Sequence, residues 1–170
     1  DQDAWDNPDS DDGEIVVYGP NIMKGYWNNP EATAEVMTED GGFRTGDLGV
    51  LDDGFLKITG RVKEQFKLEN GKYVAPSPLE ESLKLSALVE QCCVDGTNKI
   101  KTFTILHPNE YALRDGLKGA NIDASGSFEE LCASQEVRTF VLESLKEEIM
   151  VPNWKGFEIS GGVVLDSEEW

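Results

Sequence analysis

The sequence predicts an α+β fold in which short β-sheets are flanked by helices. Three observations carry this. Short β-branched or alternating runs are bounded by Gly, Pro or Asn. One apolar stretch between residues 128 and 149 repeats at helical spacing, and Ser-x-x-Glu start signals stand at or ahead of apolar runs. The chain has 170 residues, about one domain's worth, and 39% hydrophobic against 28% charged residues marks it as globular.

Residues 1–13 open the chain as an Asp-rich, Pro-broken stretch expected to form a surface loop. Glu14–Tyr18 (EIVVY) is the first strand, stopped by Gly19-Pro20. Asn29-Pro30-Glu31 then opens a helix: Asn29 suits the N-cap, Pro30 the first helical position, and Glu31 complements the helix dipole. Phe43–Val50 is compact and punctuated by glycine. Asp52-Asp53-Gly54 turns the chain into Phe55–Thr59 (FLKIT), which alternates like a half-buried strand.

Asn70-Gly71, set between Phe66–Glu69 and Lys72–Val74, predicts a hairpin with a type I′ turn and φ > 0 at both residues. Ser77-Pro78-Leu79-Glu80 reads as a capping box with Pro at the first helical position, and puts Leu79 and Leu83 on one face. Val89–Val94 and Thr102–Leu106 read as neighbouring strands, and Gly116 and Gly119 as loop markers. Ser127-x-x-Glu130 is a second capping box. It opens the stretch Phe128, Leu131, Val137, Phe140, Val141, Leu145 and Ile149, which Ser134-Gln135 is expected to split into two helices. Pro152 closes this stretch, and Val163–Leu165 is the last strand.

Charge excludes several functions. Fifteen Lys and Arg against 33 Asp and Glu give −18, and six of the acids fall within the first twelve residues. Such a chain is ill suited to a nucleic-acid backbone or an anionic membrane surface. His107 is the single histidine, so no multi-His metal site exists. The acidic opening misses the spacing of a calcium loop. Cys92, Cys93 and Cys132 are odd in number and lack a C-x-x-C spacing, and no N-x-S/T sequon occurs; together these point to a reducing, cytoplasmic compartment. Cys92 and Cys93 read as core fillers, and His107 as a surface residue at a strand end. No apolar run of 18 residues spans a bilayer. The acidic start is the opposite of a signal peptide, and without an initiator Met the chain is expected to begin inside a longer protein.

Two Gly-adjacent polar clusters carry candidate chemistry: Phe43-Arg44-Thr45-Gly46-Asp47, and Gly60-Arg61-Val62-Lys63-Glu64-Gln65-Phe66-Lys67 running into Asn70-Gly71. A carboxylate beside Gly can accept hydrogen bonds from a vicinal diol such as ribose, and the Arg61 fork suits phosphate or ribose oxygens. From spacing alone, Thr45-Gly46-Asp47 reads first as a tight turn closed by an Asx hydrogen bond, and Arg61 with Lys63 as an exposed charge pair.

The order of the segments adds a resemblance. Gly13-Glu14-Ile15…Gly25-Tyr26…Pro30-Glu31-x-Thr33, then Gly42-Phe43-Arg44-Thr45-Gly46-Asp47-Leu48-Gly49, then Asp53-Gly54-x-Leu56-x-Ile58-x-Gly60-Arg61 with Lys67-x-x-x-Gly71, resemble three motifs of the adenylate-forming enzymes. That superfamily comprises acyl-CoA synthetases, luciferases and adenylation domains. Gly71-Lys72-Tyr73-Val74-Ala75-Pro76, Phe128–Cys132 and Trp154–Glu158 are similar to the long-chain fatty acid group. Gly60 and Glu64 depart from it, standing where Asp is usual. The family's phosphate loop and its late lysine segment are not in this sequence, and Lys155 lacks the context of that lysine.

The resemblance implies that residues 1–62 are the β-rich tail of a large N-terminal domain and that 63–170 are most of a small mobile C-terminal domain. It implies an AMP-forming acid–CoA ligase that binds ATP, CoA and Mg²⁺, none of which this piece is expected to retain, with the piece inactive alone and any membrane association residing in sequence elsewhere. Asp47 would accept the ribose hydroxyls and Arg61 would hold the ribose or phosphate side. Lys63 would be the hinge, and Lys67 and Gly71 would belong to the face used with CoA. A ligase of medium-chain or aromatic acids, or a non-enzymatic acidic interaction module docking a basic partner, are the alternatives. An Asp47–Arg61 pair turned to one cleft distinguishes a ligase from the module.

Overall fold

The computed structural model describes residues 12–170, so the Asp-rich opening up to Asp11 lies outside the described residues. The chain divides into two compact units between Gln65 and Phe66. The motif-based boundary stood three residues earlier, between Val62 and Lys63.

The first unit is an antiparallel sheet of β1 (Gly13–Val17), β2 (Phe43–Asp52) and β3 (Phe55–Arg61), in that order, with α1 (Pro30–Val36) in the β1–β2 connection. Asn29 caps α1 as its chemistry requires, its Oδ1 accepting the Ala32 N–H at 3.1 Å. The glycine-punctuated run Phe43–Val50 is a long strand. Gly49 permits it, because a Cβ there would meet the Lys57 carbonyl at 2.9 Å and Ile15 at 3.0 Å. Asp53 and Gly54 both have positive φ, +48° and +85°, and form the two-residue turn between β2 and β3. Leu48 is the only buried apolar side chain among the described residues of this unit, while Leu51, Phe55, Leu56 and Ile58 are exposed.

The second unit holds the hydrophobic core. Its main sheet runs β6 (Val89–Asp95), β7 (Phe103–Pro108), β8 (Val163–Leu165), with β6/β7 antiparallel and β7/β8 parallel. A two-stranded ribbon, β4 (Phe66–Lys67) with β5 (Tyr73–Val74), precedes α2 (Pro76–Leu83). The β7–β8 crossover carries α3 (Glu110–Gly119), α4 (Phe128–Ala133), α5 (Gln135–Leu145), a π-turn at Lys146–Met150 and a last helical turn at Val151–Asn153. Leu83, Leu106, Leu113, Leu117, Val141 and Leu145 are fully buried where these elements meet. The Ser127 capping box forms in both halves: Ser127 Oγ accepts the Glu130 N–H at 3.1 Å and Glu130 Oε2 accepts the Ser127 N–H at 2.8 Å. The apolar stretch breaks at Ser134, which caps α5. Among the described residues no helix is long and apolar enough to cross a membrane.

Three expectations are corrected. The Asn70-Gly71 turn is not type I′: only Gly71 has positive φ, +85°, and its N–H donates to Leu68 O at 3.0 Å, centring the turn on Glu69-Asn70. Bonds from Lys72 N–H to Asn70 Oδ1 (3.0 Å) and from Glu69 N–H to Lys99 O (2.9 Å) select this longer connection. The Ser77–Glu80 capping box does not form. Pro76 takes the first position of α2, Ala75 precedes it, and the Glu80 carboxylate accepts the Val94 N–H of β6 at 2.9 Å. Gly116 and Gly119 lie inside α3, not in loops. Gly116 is the point of close packing, since a Cβ there would stand 3.1 Å from Phe140.

Candidate functional site

The first cluster sits in an irregularity of the first sheet. Glu14 pairs with Leu48 and Val16 with Arg44, so β1 advances two residues while β2 advances four. Thr45-Gly46-Asp47 therefore forms a bulge, with Gly46 at φ +75°. The Thr45 hydroxyl donates to Ile15 O at 2.9 Å and accepts the Asp47 N–H at 3.0 Å. Beside it Arg44 donates to Glu14 at 2.7 Å, a pair in which the Glu14 side chain is only 12% exposed.

Asp47 lies opposite Arg61 in the β2/β3 register, and Arg61 Nε donates to Asp47 Oδ1 at 3.0 Å. The pair is part-exposed, so its contribution to stability is at most about 1 kcal/mol. Arg61 Nη1 is also 3.6 Å from Glu64. A cleft of about 320 Å³ adjoins the pair, lined by Glu14, Tyr26, Arg44, Thr45, Gly46, Arg61 and Lys63 among others. Arg61 and Lys63 form part of its wall. Asp47 does not, but it is tied to Arg61.

The remaining candidates are placed as follows. Lys63 is exposed in the 3₁₀ turn Val62–Glu64, between extended residues Arg61 and Gln65. Lys67, in the second unit, lays its ammonium over the Tyr73 ring at 5.1 Å. A Cβ at Gly71 would meet only Lys67 Cε, at 4.0 Å, so in this chain Gly71 is required by its φ and not by crowding.

The cysteines are poor nucleophiles. Burial pushes the Cys92 thiol up to about 11, with the Glu80 carboxylate adding to it, and burial pushes Cys132 up to about 11. Burial, with the Glu80 carboxylate adding to it, raises the Cys93 thiol as well. His107 is not a surface residue. It is half-buried, its Nδ1 stands 3.0 Å from Asp166 O, and its ring packs edge-on against Phe128 at 5.6 Å. Among the described residues no three His, Cys, Asp or Glu side chains form a metal-binding set. Sequence reading missed the Glu14–Arg44 pair and the bridging role of Thr45. Both join residues thirty apart, and only the strand pairing brings them together.

Comparison with known proteins places this fold in a class. The chain aligns with the A domain of carboxylic acid reductase from Segniliparus rugosus, solved with AMP and a co-purified carboxylic acid. The TM-score is 0.74 at 25% identity, over 94% of this chain and 23% of that one. ATP-bound MatB from Rhodopseudomonas palustris aligns at TM-score 0.60 and 27% identity, over 94% of this chain and 27% of that one. No family model matches the chain. The chain resembles the adenylate-forming enzymes over nearly its whole length. Within them it is similar to the long-chain fatty acid–CoA ligases. It is 37% identical over 160 residues to long-chain-fatty-acid–CoA ligase 1 of Cavia porcellus, covering 92% of this chain and 22% of that protein. It is 43% identical over 121 residues to long-chain-fatty-acid–CoA ligase FadD15 of Mycobacterium tuberculosis, covering 69% of this chain and 20% of that protein. The chain thus spans about a fifth of the length of the curated relatives it matches.

Proposed function

We propose that the chain forms the C-terminal portion of an ATP-dependent long-chain fatty acid–CoA ligase. Residues 1–62 would belong to its large N-terminal domain and 63–170 to its mobile C-terminal domain. The observation that carries the reading is the Asp47–Arg61 pair, held on adjacent strands beside a cleft that Arg61 helps to line. The exposed apolar side chains of β2 and β3 support it too, because such a face is suited to burial against more of a domain.

In the first half-reaction a fatty acid carboxylate oxygen attacks the α-phosphorus of ATP and pyrophosphate leaves. In the second, the CoA thiolate attacks the acyl carbon of the adenylate and AMP leaves. Asp47 Oδ1 is held by Arg61, and the carboxylate keeps Oδ2 to accept a ribose hydroxyl. Arg61 spends Nε on Asp47 and keeps its Nη groups for ribose or phosphate oxygens. Lys63, in a short turn two residues before the end of the first compact unit, is the hinge, about which the second unit presents a different face in each half-reaction. Lys67 and Gly71 lie on the face used with CoA. Mg²⁺ enters as the ion that accompanies ATP, and no residue here is assigned to it. The three cysteines are free, in keeping with a reducing, cytoplasmic setting.

The test is Asp47→Ala in a ligase that carries this segment. One or two charge-assisted hydrogen bonds at ~1.5–3 kcal/mol each, partly replaced by water, predict an ATP dissociation constant about tenfold higher or more. Unchanged ATP binding by calorimetry removes Asp47 from the site. The 170-residue chain alone is expected to form no palmitoyl-CoA from ATP, palmitate and CoA, and turnover above a heat-inactivated control would refute that part.

A further inference from the structure

The β2 bulge at Thr45-Gly46-Asp47 takes the Asp47 N–H out of the regular β1/β2 ladder. A bulge needs some other acceptor for such a donor, and an acceptor and donor that tie it to the neighbouring strand. One atom meets both needs: Thr45 Oγ1 accepts the Asp47 N–H at 3.0 Å and donates to the Ile15 carbonyl of β1 at 2.9 Å. Only a hydroxyl one carbon from the backbone can do both, and Ser or Thr supplies it. Gly46, at φ +75° and with nothing within 4 Å of a Cβ position, is free to turn and does not fix the bulge by packing. Arg61, which holds the Asp47 carboxylate, comes from the opposite strand. The backbone of Asp47 is thus set from β1 through Thr45, and its side chain from β3 through Arg61.

We infer that Thr45 is a positioning residue: its hydroxyl sets the bulge that aims the Asp47 carboxylate, and so sets how well a ribose diol is held. This rests on the nucleotide reading of Asp47. It also separates Thr45 from a mere sheet tie, because the loss of the hydroxyl should be felt in discrimination between ribose and deoxyribose and not only in stability.

The test uses a full-length ligase that carries this segment, wild type, Thr45→Val and Thr45→Ser. Amide exchange at Asp47 is measured by mass spectrometry, and AMP and 2′-deoxy-AMP are titrated by calorimetry. The wild type binds AMP, and 2′-deoxy-AMP more weakly. In Thr45→Val the Asp47 amide exchanges at least about tenfold faster, AMP binding weakens by about tenfold, and the preference for AMP over 2′-deoxy-AMP collapses toward unity. Thr45→Ser, which keeps the hydroxyl and drops the methyl, retains wild-type exchange and preference. Wild-type exchange or wild-type preference in Thr45→Val overturns the inference while leaving Asp47 in the nucleotide site. If Thr45→Val does not fold, Thr45→Ser decides, since loss of the preference with the hydroxyl present also overturns it. Equal AMP binding by wild type and Asp47→Ala in that ligase overturns the nucleotide reading of Asp47, and the inference with it.

Discussion

Glu80 offers the sharpest test of the second unit. Its carboxylate leaves α2 to accept the Val94 N–H of β6 at 2.9 Å, and Val94 is 2% exposed. Replacing Glu80 by Ala leaves a buried N–H without its acceptor, at a cost of about 1–3 kcal/mol. Glu80→Gln keeps an acceptor oxygen and should cost well under half of that. The same carboxylate is the second cause, after burial, of the raised Cys92 and Cys93 thiols. Its negative charge disfavours the thiolate, so removing the charge must lower both thiol pKa values and speed alkylation at fixed pH. The assay is urea unfolding followed by far-UV circular dichroism, with iodoacetamide labelling at pH 8 read by mass spectrometry. Glu80→Gln should be nearly as stable as wild type yet label faster at half-buried Cys93, with buried Cys92 and Cys132 slowest throughout. A Glu80→Ala protein as stable as wild type would show that Val94 finds another acceptor. Unchanged Cys93 labelling in Glu80→Gln would show that the carboxylate does not act on the thiols.

Two further outcomes follow from single residues. Gly71→Ala should destabilise the second unit by about 1–2 kcal/mol through its φ of +85° alone, since a Cβ there meets nothing closer than 4.0 Å, and Gly71→Asn should cost less; equal stability of all three in urea would refute the strain argument. Burial pushes the Asp95 carboxyl up, but hydrogen bonds from the Thr97 hydroxyl and from the Thr97 and Gly96 N–H groups outweigh it and hold it below its ordinary value. A depressed folded-state value contributes stability above the ordinary carboxylate range that is lost as pH falls through the folded value, so Asp95→Asn should be less stable than wild type at pH 7 and should lose less on acidification from pH 5 to pH 2; parallel stability profiles would refute it.

How much was legible in the sequence follows from how locally each signal is decided. Asn29 and the Ser127–Glu130 box are satisfied by groups within three residues, and both formed as read. The pairings of β6 with β7 and the break at Ser134 followed from alternation and capping in the same way. Ser77-Pro78-Leu79-Glu80 carries an equally good local pattern, but Pro76 had already started the helix, and a buried strand N–H competed for Glu80 and won. Asn70-Gly71 and Asp53-Gly54 make the same comparison for turns. Asp53-Gly54 joins two strands that are adjacent in the sheet and adopts positive φ at both residues. Glu69, next to Asn70, bonds to Lys99, and the turn lengthens to suit that partner. Gly116 is the same lesson for helices: a glycine read as a loop marker is kept inside α3 because Phe140 of α5 crowds the position of its Cβ.

The candidate site divides along the same line. Asp47 and Arg61 were legible as candidates because the motif resemblance singled them out, and the β2/β3 hairpin that joins them closes over a two-residue turn. Their meeting at 3.0 Å therefore needed only one correctly read hairpin. Thr45 and the Glu14–Arg44 pair depend on β1, which reaches β2 only after a long connection containing α1, and on a register that slips by two residues at the bulge. A slip of that kind alters no residue's local propensity. It is selected by what the displaced N–H and carbonyl groups can find, here a single hydroxyl. The residues that tie a bulge to its sheet are thus the ones that a one-dimensional pattern conceals, because their partners are set by strand pairing and not by spacing.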